Sequence, residues 1–120
     1  MNIEAGNTIL YSRRFADCVA FYGELLGLEV SHRIDWFVEF RVTDSTFVSV
    51  ADAARTTIES AGGAGITLTF KVADADEVHR RLTDLGAVAT APSDHPWGAR
   101  SFYVFDPEKR RIEFWSASSD

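Results

Sequence analysis

The sequence runs through one order of elements twice, and this constrains its folding more than any other feature. Val19 and Gly27 recur as Val78 and Gly86, each pair fifty-nine residues apart. In the first half, Phe15, Cys18, Val19, Tyr22, Leu25 and Leu26 fall at helical spacing, with Arg14, Asp17 and Glu24 off the stripe. That pattern predicts an amphipathic helix burying one face. Gly27 follows its end, where a left-handed C-cap costs glycine least. In the second half, Asp74 with Glu77 three residues on is similar to a capping box, with Asp in the capping role. The stripe there is Ala75, Val78, Leu82 and Leu85, closed by Gly86.

Strand-like runs surround both helices. Asn7–Tyr11 precedes the first; Glu29–Ile34, Trp36–Val42 and Thr46–Val50 follow it. Residues 51–65 are poor in bulky apolar side chains and contain SAGGAG, a linker signature. Then Ile66–Val72 alternates as a strand, and Ala87–Ala91 (weakly), Ser101–Phe105 and Arg111–Trp115 follow the second helix. The expectation is an α+β chain forming one domain over residues 1–120. It has a module at about 5–52, a linker at about 53–64 and a second module at about 65–116. Each module has a sheet with two faces and one helix to cover them, so the other face needs a partner.

Composition narrows the function classes. At 120 residues, with 46% hydrophobic and 25% charged, the chain fits one globular domain. No apolar run approaches the ~20 residues of a membrane span. The start, MNIEAGNTIL, has neither a basic beginning nor a signal-type apolar stretch, so a cytoplasmic location is the expectation. The net charge of −6 and the shortness of the basic clusters (Arg13-Arg14 and Lys109–Arg111) argue against nucleic acid as a partner. Acidity favours a cationic small molecule, as a weak hint. The single Cys18 lies on the helical stripe and reads as a core thiol.

Three segments resemble one family. FADCVAFYGELLGLEV (Phe15–Val30) is similar to the opening helix and strand of the vicinal oxygen chelate superfamily, which includes glyoxalases, dioxygenases and bleomycin-resistance proteins. VADADEVHRRLTDLGAV (Val72–Val88) resembles the start of its second module, and HPWGARSFYVFDPEKRRIEFW (His95–Trp115) its closing segment. The PWG-x-R and DP elements are especially close to the bleomycin-resistance proteins. The resemblance implies two tandem βαβββ modules with curled mixed sheets enclosing a shared cavity, often completed by a second subunit.

Metal-using members hold a divalent ion with side chains from the first and last strand of each module. Carried over by position, these fall on Asn7, near Ser49, on Thr67 and on Glu113. Glu113 alone is a strong ligand type; tight binding of zinc, nickel or iron wants His, Cys or carboxylates. His32, His79 and His95 occupy none of these positions and read as surface or structural groups. No metal and no other cofactor is expected. Strand alternation, taken without the family, puts Ile9 and Tyr11 with Asn7, Thr69 and Lys71 with Thr67, and Arg111 and Trp115 with Glu113. Leu10, Leu68, Phe70, Ile112 and Phe114 then point toward the helices.

The candidate ligand-binding set is therefore Asn7, Tyr11, Trp36, Phe40, Ser49, Thr67, Thr69, Trp97, Glu113 and Trp115. Aromatic walls with a few placed polar groups suit a small molecule. Trp36 and Phe40 read equally as core or dimer-interface rings. Two functions follow from the resemblance and the missing ligands. The first is a homodimeric, metal-independent protein that binds a planar or cationic compound, such as an antibiotic, and acts by sequestration. The alternative is a lyase, isomerase or dioxygenase using a metal, or Glu113 as a base.

Overall fold

The computed structural model describes residues 1–118, and the chain divides into two compact units, the first Met1–Gly62 and the second beginning at Gly63. Each holds a four-stranded mixed sheet with the element order β-α-β-β-β, so the α+β class and the tandem repeat both hold. Neither sheet closes on itself. No helix among the described residues is long and apolar enough to cross a membrane.

The first unit comprises β1 (Gly6–Ser12), α1 (Phe15–Ala20), β2 (Glu29–Ile34), β3 (Phe37–Thr43) and β4 (Thr46–Asp52). Its strand order is β1-β4-β3-β2; β1 and β4 are parallel and the other pairs antiparallel. The parallel pair requires the chain to cross over, and α1 is part of that connection. Leu10, Val38, Phe40, Val48 and Val50 form the helix side of the sheet, buried with Cys18, Phe21, Tyr22 and Leu26. Burying each large apolar group contributes about 1.5–3 kcal/mol against chain entropy. The expected single helix is instead α1 followed by a π-helical turn over Phe21–Leu25. There Gly23 lies against the Phe40 ring; a Cβ on Gly23 would sit 3.1 Å from Phe40 Cε1. Gly27 follows with φ +73, the left-handed conformation expected of it.

The second unit comprises β5 (Thr67–Lys71), α2 (Ala75–Asp84), β6 (Ser93–His95), β7 (Ala99–Phe105) and β8 (Arg111–Ala117), in the order β5-β8-β7-β6. Asp74 caps α2 by accepting from the Glu77 N–H at 3.3 Å. The Glu77 side chain pairs with Arg80 instead of completing a capping box. Ala75 and Leu82 are buried as the stripe requires, but Leu85 is 59% exposed at the helix end. Phe102 and Phe114 stack at 5.5 Å in the core beneath α2, with Leu68, Val104 and Ile112 around them. The weak strand expected at Ala87–Ala91 is reduced to a bridge between Ala89 and Val104, and pairing resumes at β6. Pro92, lacking an N–H, stands between the two.

The β7–β8 turn is an internal ion cluster. Arg110 pairs with Asp106 at 3.0 Å and with Glu108 at 3.2 Å, all three side chains buried or nearly so. Asp106 Oδ1 also accepts from the N–H groups of Glu108 and Arg110. Gly63 lies so close to this turn that a Cβ there would come within 2.1 Å of the Lys109 carbonyl oxygen.

Candidate functional site

In the first unit, register places Asn7, Ile9 and Tyr11 of β1 on the face away from α1, with Phe47, Ser49 and Ala51 of β4 and Phe37, Glu39 and Arg41 of β3. Asn7 and Ser49 meet: the Ser49 hydroxyl donates to Asn7 Oδ1 at 2.9 Å. Phe40 does not share this face. Named with Trp36 among the candidate ligand contacts, Phe40 instead lies on the helix side, fully buried, its ring 6.3 Å from that of Tyr22. Trp36 sits in the turn before β3, where the strand alternation does not reach. Its carbonyl accepts the Asp52 N–H at 2.8 Å, and its ring meets Phe37 edge-to-face at 6.0 Å.

Trp36, Phe37, Tyr11 and Ile9 wall a hollow of about 320 Å³ on this face. The segment Arg55–Ile58 closes its other side. A short 3-10 turn at Ala53–Arg55 sets that segment, with Asp52 Oδ1 accepting the Ala54 N–H at 3.1 Å. The Thr56 hydroxyl lies 3.2 Å from the Ala53 carbonyl and accepts the Ile58 N–H at 3.2 Å, which fixes where Arg55 and Ile58 stand. These residues lay in the stretch that sequence analysis reads as linker. Asp52 two residues before Ala54, a capping arrangement, was the available signal.

A second hollow of the first unit, about 450 Å³, lies on the helix side between α1 and β2. Its wall mixes small residues (Ala16, Ala20 and Gly23) with larger apolar ones (Phe15, Val19, Leu28, Val30 and Phe40), and its two charges, Glu24 and Arg33, are opposite in sign and exposed.

In the second unit, Thr67, Thr69 and Lys71 share the face away from α2 with Arg111, Glu113 and Trp115 and with Ser101, Tyr103 and Phe105. The Thr69 hydroxyl donates to Glu113 Oε1 at 2.8 Å, and Arg111 Nε donates to Thr67 Oγ1 at 3.0 Å. Two rings carry cations: Lys71 Nζ is 5.1 Å from the Trp115 centroid, and the Arg111 guanidinium is 4.5 Å from that of Tyr103. Trp97 is at the β6–β7 turn, 74% exposed, its ring stacked on His95 at 4.5 Å and 7°. His95 Nε2 is 2.7 Å from the Ser101 hydroxyl.

This donor set fits a divalent ion poorly in either unit. Asn7 and Ser49 are neutral and bonded to each other, while Thr67 receives a guanidinium N–H. That guanidinium would oppose a cation beside Thr67. Among the described residues no three of His, Cys, Asp and Glu come together as a metal cluster. Nor does Glu113 stand alone in an apolar surround, given Thr69 and, two residues along the same strand face, Arg111. The hydrogen bond and charge of Arg80 lower the Glu77 carboxyl and are answered by a raised Arg80; Asp76, with Asp94, raises Arg100.

Comparison with known proteins agrees with this architecture. No curated protein matches the chain by sequence. Among solved structures, the antibiotic binding protein TnmS3 from Streptomyces sp. CB03234 superposes with a TM-score of 0.79 at 18% identity, over 98% of this chain and 97% of that one. A lactoylglutathione lyase from Agrobacterium tumefaciens gives 0.75 at 21% identity, over 92% of this chain and 90% of its own. A glyoxalase/bleomycin resistance protein/dioxygenase from Nocardioides gives 0.78 at 20% identity, over 99% and 85%. At such identities these likenesses speak for the fold alone. The family model for the Glyoxalase/Bleomycin resistance protein/Dioxygenase superfamily matches residues 5–114. Since that match takes in both βαβββ units, the chain belongs to the glyoxalase/bleomycin resistance protein/dioxygenase superfamily.

Proposed function

We propose that this protein binds a planar small molecule and acts by holding it rather than transforming it. The observation that carries this reading is the hollow of about 320 Å³ walled by Tyr11, Trp36 and Phe37. Concave aromatic walls with few polar groups are the usual make-up of a ligand pocket, and each good ring contact contributes about 0.5–1.5 kcal/mol. The poor fit of Asn7, Ser49 and Thr67 to a divalent ion weighs against the metal-dependent chemistry known elsewhere in the superfamily. TnmS3, a fold neighbour, is an antibiotic binding protein, which lends the class but not the ligand. In this reading the protein works as a cytoplasmic homodimer, and sequestration protects the cell from the compound.

Calorimetric titration with a panel of planar aromatic compounds tests the proposal. Wild type should bind one or more of them, and Trp36→Ala should weaken that binding severalfold with little change in thermal stability. Binding that survives Trp36→Ala unchanged would remove the hollow from the site. The alternative reading, a lyase, isomerase or dioxygenase, draws on Glu113 and on the lactoylglutathione lyase neighbour. Metal-stimulated turnover of an oxygenated substrate, abolished by Glu113→Gln, would establish it in place of sequestration. Sedimentation at micromolar concentration checks the dimer.

A further inference from the structure

We infer that the aromatic hollow of the first unit takes a planar ligand carrying one anionic group, anchored by Arg55. This rests on the reading of the hollow as a ligand site and adds the ligand's charge to it.

Arg55 is the one charged residue among those lining the hollow. Among the described residues no carboxylate is paired with it in an ion pair, unlike Arg14, Arg41, Arg80, Arg100 and Arg110. It is held at the end of the 3-10 turn by the Asp52 cap and the Thr56 hydroxyl, so its backbone is set before any ligand arrives. An arginine lining an aromatic hollow suits a carboxylate or phenolate, which its guanidinium can grip through two N–H groups. A cationic ligand would meet a like charge there.

Three other rings on the faces away from the helices lie under cations. Arg41 lies over Phe47 at 5.2 Å in the first unit; Lys71 over Trp115 and Arg111 over Tyr103 do so in the second. The carboxylates on these faces are already engaged, Glu39 by the Ser31 hydroxyl and Glu113 by that of Thr69. The chain's net charge of −6 is therefore a poor guide to its ligand, and the cation favoured by overall acidity gives way to an anion. The volume, near the lower end of the ~300–1,000 Å³ range of small-molecule sites, matches one or two fused rings.

The test compares three compounds of one shape, 2-naphthoate, 2-naphthamide and 2-naphthylmethylammonium, by calorimetry on the full chain. Naphthoate should bind at least tenfold more tightly than the amide, and the ammonium compound least. Arg55→Gln should erase the preference for the acid over the amide, and Arg55→Lys should keep part of it. Arg80→Gln, an equal loss of charge on α2, should alter none of the three. Arg55 is exposed, so these variants should melt as wild type does. Equal binding of acid and amide, tighter binding of the ammonium compound, or an acid preference surviving Arg55→Gln would overturn the inference and leave the aromatic pocket standing. Absence of binding by all three would overturn both.

Discussion

The Ser49 hydroxyl donates to Asn7 Oδ1 across 2.9 Å, so the two positions of the first unit that resemblance aligns with metal ligands satisfy one another. Ser49 is fully buried, where an unmade hydrogen bond costs about 1–3 kcal/mol. A divalent ion bound there would gain only two weak neutral donors, already satisfied by one another. Protein dialysed against zinc or nickel, then desalted, is therefore expected to retain well under one equivalent by elemental analysis. About one equivalent per chain, lost in Glu113→Ala, would defeat this expectation.

The buried ion cluster of the second unit leads to a stability expectation. Asp106 holds Arg110 through its side chain and organises the turn through two backbone N–H groups. Removing one partner of a buried pair leaves an uncompensated charge, at a cost of ~3–5 kcal/mol. Glu108 still reaches Arg110 at 3.2 Å, so Asp106→Ala should fall at the lower end of that range by urea denaturation. Asp106→Asn, which keeps an acceptor for the turn, should cost less. A loss below about 1 kcal/mol for Asp106→Ala would mean that the cluster does not hold the turn.

Alternation made the strand faces of β1, β5 and β8 legible because their two stripes differ in kind. Leu10, Leu68 and Ile112 are buried, while Asn7, Thr69 and Glu113 stand on the other face. In β3 both stripes carry rings, so the period of two was visible without saying which stripe faced the helix. The answer lay in a long-range fit, Phe40 against Gly23 and Tyr22, that no local pattern encodes. Arg55 and Ile58 were hidden for another reason. A loop has no period, and their position depends on hydrogen bonds from Asp52 and Thr56. The helix C-caps at Gly27 and Gly86, by contrast, were readable because positive φ is a local requirement that glycine meets.

Trp97 offers a last test, read separately from Trp36 because it belongs to the second unit. Its setting between Pro96 and Gly98 gives no regular face to pack on, and Gly98 at φ +85 turns the chain there. The ring is 74% exposed, with one face on His95. Truncating a core tryptophan costs ~3–5 kcal/mol, whereas a surface ring with one stacking partner contributes about 1 kcal/mol or less. Trp97→Ala is therefore expected to shift thermal unfolding by only a few degrees. We propose further that the exposed face meets a planar ligand, in which case affinity should fall severalfold, an effect on the order of 1 kcal/mol. Melting and titration of the same variant separate the outcomes. A large fall in melting temperature would make the ring a packing element of the β6–β7 turn. Unchanged melting with unchanged binding of every compound that the wild type accepts would remove Trp97 from the site and leave its stack on His95 as its whole role.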